Sequence, residues 1–200
     1  MNTTKEHILK TSLLLFLQKS YKDVTMRDIV EKSGLSKGAF YHYFKSKEEL
    51  FKEITDYFLS MGKIDYNSFS KESFNEFYHQ YAAVLGQSFR KMMEFVNVNS
   101  NERTAFNFFF IMFEAASRLP DLLKIELELH KKDVVAWKKI ISTARKKGEI
   151  ESNASDEQIA EMFLCCIDGL SLRMVNNNRL NFFRKDVIKM FDCLYDGLKA

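Results

Sequence analysis

Residues 25–44, Thr-Met-Arg-Asp-Ile-Val-Glu-Lys-Ser-Gly-Leu-Ser-Lys-Gly-Ala-Phe-Tyr-His-Tyr-Phe, hold the densest chemistry in the chain. Hydroxyls, two amines, an imidazole and two phenols crowd around two glycines, while Ile29, Val30, Leu35, Phe40 and Phe44 recur at helical spacing. Such donors suit the phosphate oxygens and base edges of duplex DNA. Gly38 has a separate use, because a helix start without a side chain approaches a phosphate or base edge closely. The competing explanation is an ordinary helical corner in which Tyr41, His42 and Tyr43 merely cover surface.

The elements around these residues are readable from caps and periodicity. Ile8, Ser12, Leu15 and Phe16 lie on one helix face and predict a first helix over about 5–19. Thr25 with Asp28 three positions later is a carboxylate version of the capping box and opens a second helix, which Ser33 and Gly34 stop after about two turns. Ser36 caps a third helix, and Ser46 with Glu49 starts a fourth carrying Leu50, Phe51, Ile54 and Phe58. Helix, glycine turn, helix is the helix-turn-helix layout.

This segment resembles the tetracycline-repressor (TetR) family of regulators. The family's N-terminal pattern is matched by Thr25, Ile29, Gly34, Leu35, Ser36, Lys37, Gly38, Phe40, Tyr41, Tyr43, Phe44, Ser46, Lys47, Glu48 and Leu50, over about residues 5–55. The resemblance implies a homodimeric transcription factor, usually a repressor, with a three-helix DNA-binding domain and a helical domain for a small effector and the dimer interface. It places Lys37, Ala39, Tyr41 and His42 at base edges, and Thr25, Ser36, Tyr43 and Lys47 at phosphates. One departure is Ser20, where the family usually has glycine: either Ser20 adopts a left-handed cap or the first helix ends differently.

Beyond residue 60 the pattern stays helical. Phe74, Phe77, Tyr78, Tyr81, Leu85, Phe89 and Met92 keep one face for five turns. Phe106, Phe108, Phe109, Phe110, Ile111, Met112 and Phe113 point all round, which predicts a helix over about 103–118 covered on every side. Pro120 opens a helix carrying Trp137 that ends at Gly148, with or without a break. Ser155 and Gln158 cap one over about 156–176, and a last helix covers about 181–198.

Composition agrees with an all-α chain: seven glycines and one proline in 200 residues leave too few turn formers for sandwiches or barrels. The apolar runs Phe108 to Phe113 and Met162 to Ile167 are six residues each, far short of the ~18 that span a bilayer. Residues 1–60 carry ten basic and eight acidic side chains against a chain total of +3, so any polyanion binding is local. Cys165, Cys166 and Cys193 form neither a disulfide framework nor a spaced zinc pattern, which fits a reducing cytoplasm. His7, His42, His79 and His130 lack metal-site spacing, and no nucleophile elbow, phosphate loop or paired acid motif marks an enzyme. No cofactor is expected.

The expectation is therefore a DNA-binding domain over 1–48 and a helical ligand-binding and dimerisation domain over 49–200. A palindromic operator is released by a small-molecule effector in this scheme. A protein-binding module on the same fold, without sequence-specific DNA binding, is the alternative, and a small-molecule enzyme a more distant one. If an effector pocket exists, Tyr78, Tyr81, Phe106, Phe109, Phe110, Phe113 and Trp137 make it aromatic and apolar, with Asn107, Glu114 and His130 as polar anchors. Plain core packing explains the same residues. Ile159, Phe163, Cys166, Leu170 and Met174, with Val187, Met190, Phe191, Leu194 and Leu198, give two stripes that read as monomer core or as a two-fold four-helix bundle. The dimer is preferred, since two recognition helices reach two half-sites roughly 34 Å apart.

Overall fold

The computed structural model describes residues 3–96, 111–176 and 183–199, apart from the side chains of Met61, Met92, Met93, Val96, Met174, Val175, Asn176 and Phe183. The helices are α1 (Thr3–Gln18), α2 (Met26–Ser33), α3 (Lys37–Tyr43), α4 (Lys47–Met61), α5 (Phe74–Val96), α6 (111–118), α7 (Pro120–Lys146), α8 (Asp156–Asn176) and α9 (Phe183–Asp196). A 3-10 turn, Tyr66–Ser68, precedes α5. Among the described residues the only β pairing is an isolated bridge between Ile150 and Lys199. No helix among them is long and apolar enough to cross a membrane.

Two compact units divide the chain, 1–61 with 91–125 and 62–90 with 126–200. In the first, Ile8, Leu13 and Phe16 of α1 join Ile29, Phe40, Phe44, Leu50, Phe51 and Ile54 in one apolar core, with Phe95, Ile111, Ala115 and Leu122 completing it. α4 therefore shares one core with α1, α2 and α3. α1 stops at Gln18, and Ser20 begins a turn in which its hydroxyl donates to Asp23 Oδ2 at 2.7 Å while its carbonyl accepts from the Asp23 N–H at 3.1 Å.

The second unit is built on aromatics. Trp137 is fully buried and meets Phe77 and Tyr81 edge-on, with centroids 5.3 and 5.0 Å apart. Each such contact contributes about 0.5–1.5 kcal/mol beyond area burial. α7 runs unbroken from Pro120 to Lys146, then Gly148 turns left-handed at φ 72° and lets the Glu149 N–H reach the Ala144 carbonyl at 2.9 Å. α8 opens on the reciprocal cap expected of it: Gln158 N–H donates to Ser155 Oγ at 3.1 Å and Ser155 N–H to Gln158 Oε1 at 2.9 Å.

One expectation is corrected. The Phe-rich helix is not covered on every side, because Phe113 is 69% exposed while Ile111 and Ala115 on the same helix are buried. Phe106, Asn107, Phe108, Phe109 and Phe110 lie outside the described residues.

Candidate nucleic-acid interface

Two caps fix the chain path through residues 25–44. Thr25 Oγ1 accepts from the Asp28 N–H at 3.1 Å, while the Asp28 carboxylate takes the Thr25 N–H at 2.8 Å and the Thr25 hydroxyl proton at 2.6 Å. Those hydroxyl and N–H donors hold the Asp28 carboxyl below the usual carboxylate range. At the other end of α2, Gly34 adopts φ 68° and donates to the Glu31 carbonyl at 3.2 Å, the left-handed cap that a Cβ disfavours. Ser36 then caps α3 by accepting from the Ala39 N–H at 3.2 Å. His7 Nε2 lies 3.0 Å from the Ser33 carbonyl oxygen, so that nitrogen donates, and α1 is tied to the end of α2.

This scaffold leaves the start of α3 open. Ser36, Lys37, Gly38, Ala39 and His42 are exposed, Tyr41 and Tyr43 are half-buried, and Phe40 is fully buried beneath them. A Cβ placed on Gly38 would meet nothing within 4 Å, so the close approach there is toward solvent rather than toward the protein's own core. Among the described residues the Lys37 ammonium has no hydrogen-bond or ion-pair partner. The His42 ring stands edge-on to Tyr43 at 5.2 Å. A helix start with an exposed amine, hydroxyl and imidazole above an apolar underside is what reading of a major groove needs.

Lys47 is placed differently from the others. Its ammonium donates to the carbonyls of Tyr21 and Val24, each at 2.8 Å, and lies 4.3 Å from the Tyr21 ring centroid. Its first structural task is thus to close the turn before α2, with one proton left over. The Tyr21 hydroxyl donates to Glu48 Oε1 at 3.1 Å, and burial with that carboxylate pushes the phenol up to about 12. The S-x-x-E signal at Ser46 holds in a shifted form: Glu49 N–H donates to Ser46 Oγ at 3.1 Å, but the Glu49 carboxylate reaches the Lys45 N–H at 2.7 Å rather than that of Ser46. Sequence reasoning passed over Arg27, exposed in the first turn of α2 beside Thr25, and Lys45, whose ammonium caps the Tyr41 carbonyl. Basic residues flanking the turns were the available signal.

The other candidates are scattered. Phe113 and Glu114 belong to the first unit, where Glu114 pairs with Arg118 at 3.0 Å. Tyr78, Tyr81 and Trp137 belong to the second and are consumed by its core. The Tyr78 hydroxyl donates to Asp192 at 2.8 Å, whereas the buried Trp137 indole N–H has no hydrogen-bond partner among the described residues. His130 is exposed and stands 3.1 Å from Glu161. In the two C-terminal stripes, Ile159, Phe163, Val187 and Phe191 are buried in the chain's own core, and Leu198 nearly so. Cys166, Leu170 and Leu194 keep partial exposure, and Met190 and Leu172 are exposed at 37% and 46%. The Met174 side chain lies outside the described residues.

A three-helix unit with capped turn and open second helix defines a helix-turn-helix DNA-binding domain. Residues 8–54, slightly less than a quarter of the chain, match the bacterial regulatory proteins of the tetR family. An uncharacterised HTH-type transcriptional regulator of Bacillus subtilis, YerO, is 46% identical over 62 residues, 31% of this chain and 22% of its own length. The HTH-type transcriptional repressor KstR2 of Mycolicibacterium smegmatis is 34% identical over 55 residues, 28% of this chain and 27% of its own length. The match therefore spans less than a third of either relative. In fold, the chain is similar to the MbdR regulator from Azoarcus sp. CIB, with TM-score 0.72 and 15% identity over 99% of this chain and 100% of that one.

Proposed function

We propose that the protein is a dimeric repressor that binds an inverted-repeat operator and releases it when a small molecule binds. The observation that carries this reading is the open start of α3, with Lys37, Gly38, Ala39 and His42 exposed on a helix held by the Ser36 cap. Base edges fall to Lys37, Ala39, Tyr41 and His42, and phosphates to Thr25, Ser36, Tyr43 and Lys47. Residues 1–48 serve DNA, and 49–200 serve the effector and a second copy of the chain, in the cytoplasm and without catalysis. KstR2, named as a repressor, supports the sign of the output.

The dimer uses the exposed parts of α8 and α9, around Leu172 and Met190, because Ile159, Phe163, Val187 and Phe191 are already spent in the core. The effector is apolar or aromatic and enters the aromatic core at Tyr78, Tyr81 and Trp137, so the core must open to admit it. Release follows only if the effector binds one spacing of the two recognition helices more tightly than the other. Titration of small molecules into a fluorescent operator complex tests this. A molecule that binds the free protein and lowers operator affinity is the expected result, and a set of demonstrated binders that never changes it contradicts the mechanism.

A further inference from the structure

A cleft of about 160 Å³ opens in the second unit between the segment around Tyr66 and one side of α7. It lies at the edge of the aromatic core, to which the buried Phe77 belongs. Lys71 and Lys139 line it, with Asn67 and Thr143 as further polar neighbours, and Tyr66 and Phe77 supply a flat aromatic wall. Among the described residues no carboxylate lines it. Neither ammonium has an ion-pair or hydrogen-bond partner among the described residues, although the adjacent Lys138 is paired with Glu157 at 3.0 Å and Lys147 with Glu72. Two uncompensated cations thus border one concavity.

The aromatic wall is set in advance. The Tyr66 hydroxyl donates to Asp133 Oδ1 at 2.8 Å, which fixes the ring, and the ring lies nearly parallel to Phe77, at 9° with centroids 5.9 Å apart. That hydrogen bond points the hydroxyl at Asp133 and leaves the ring as cleft surface. A ligand matching both features carries two negative charges at one end and a flat apolar body at the other. Lysine serves phosphate as a point charge without demanding bidentate geometry. A phosphate monoester is a dianion above its second pKa of about 6. The volume limits the body to a single ring, since sites for larger ligands run to roughly 300 Å³ and more.

We propose that this cleft binds a single-ring phosphate monoester, with Lys71 and Lys139 neutralising the phosphate and Tyr66 and Phe77 holding the ring. Binding at this site does not depend on the DNA-binding reading.

The test uses the full chain and phenyl phosphate at pH 7.5, followed by calorimetry and ligand-observed NMR. Saturable binding with Kd of about 1 mM is expected. Lys71→Gln and Lys139→Gln, both at exposed positions, each weaken it about fivefold or more while leaving the helical circular dichroism unchanged. Inorganic phosphate and benzyl alcohol, each carrying half of the ligand, bind at least about tenfold more weakly. Equal binding of inorganic phosphate, indifference to both substitutions, or no saturation at about 20 mM phenyl phosphate overturns the proposal. Operator binding is not read in this experiment, so its outcome and that of the DNA-binding reading stay distinct.

Discussion

The Lys47 ammonium lies 4.3 Å from the centroid of the Tyr21 ring and donates to the Tyr21 carbonyl at 2.8 Å. One side chain at the start of α4 thereby fixes the turn that precedes α2. Arg118 approaches the same ring, its guanidinium carbon 4.6 Å from the centroid. Removing Lys47 strands two carbonyls and takes a cation from the ring. Lys47→Ala is expected to destabilise the chain by about 1–2 kcal/mol. Urea unfolding checks this, and an unchanged midpoint would show that the contacts are incidental.

The two glycines of the motif separate backbone demand from surface demand. Gly34 sits at φ 68°, so Gly34→Ala should cost about 1–2 kcal/mol of stability. Gly38 is helical and a Cβ there meets nothing within 4 Å, so Gly38→Ala should leave stability unchanged or raise it by up to about 1 kcal/mol. Its methyl nevertheless projects from the open start of α3, and DNA affinity should fall. Thermal melts paired with binding isotherms distinguish the two. A Gly38→Ala protein with unaltered DNA affinity would remove close approach from the account.

Lys37 is exposed and free of partners among the described residues, so its loss should be felt by DNA alone. Lys37→Ala is expected to cost about 1–3 kcal/mol of operator binding and to relax selectivity at one base pair in each half-site. The melting temperature should not move. Affinity measured across single-base operator variants checks this, and a uniform loss across all of them would reassign Lys37 from base edge to phosphate.

Two carboxylates in the second unit should respond to acid in opposite senses. Burial opposes the Glu149 charge, but the N–H groups of Asn75 and Phe74 and the hydroxyls of Tyr195 and Ser73 outweigh it and hold its pKa below the usual 4.5. Its folded pKa lies below the unfolded one, so its stabilisation is present at neutral pH and is lost as pH falls through the folded value. Glu149→Ala should cost about 2–3 kcal/mol at pH 7, with the gap to wild type narrowing below about pH 4.5. Burial raises the Asp133 pKa despite the Tyr66 hydroxyl bond and the nearby His130. The charged form is therefore unfavourable at neutral pH, a penalty relieved as pH falls toward the raised value. Asp133→Asn keeps an acceptor for Tyr66 and should hold or raise stability at pH 7. Unfolding curves at pH 7 and pH 4 test both, and a large loss for Asp133→Asn would contradict the assignment.

The helix-turn-helix was legible because its determinants are local. Thr25 with Asp28, Gly34 and Ser36 each act within four residues, so caps and turn followed from sequence, as did Pro120 at the start of α7. What sequence did not disclose depends on residues far apart. The Lys47 to Tyr21 contact joins positions 26 apart, and Glu149 caps α5 from 74 and 75 residues away. The exposure of Phe113 also escaped, since an all-round apolar run does not say which side finds a neighbour. The core residues of α8 and α9 were not legible for the same reason: Phe163 and Met190 each fit a helical stripe, but Phe163 is buried and Met190 is exposed.

Selection of bound sequences from a random duplex DNA pool tests the central claim most directly. The account predicts enrichment of an inverted repeat with half-sites roughly 34 Å apart or slightly more, whose affinity falls steeply with salt. No enriched sequence from folded, dimeric protein would contradict it.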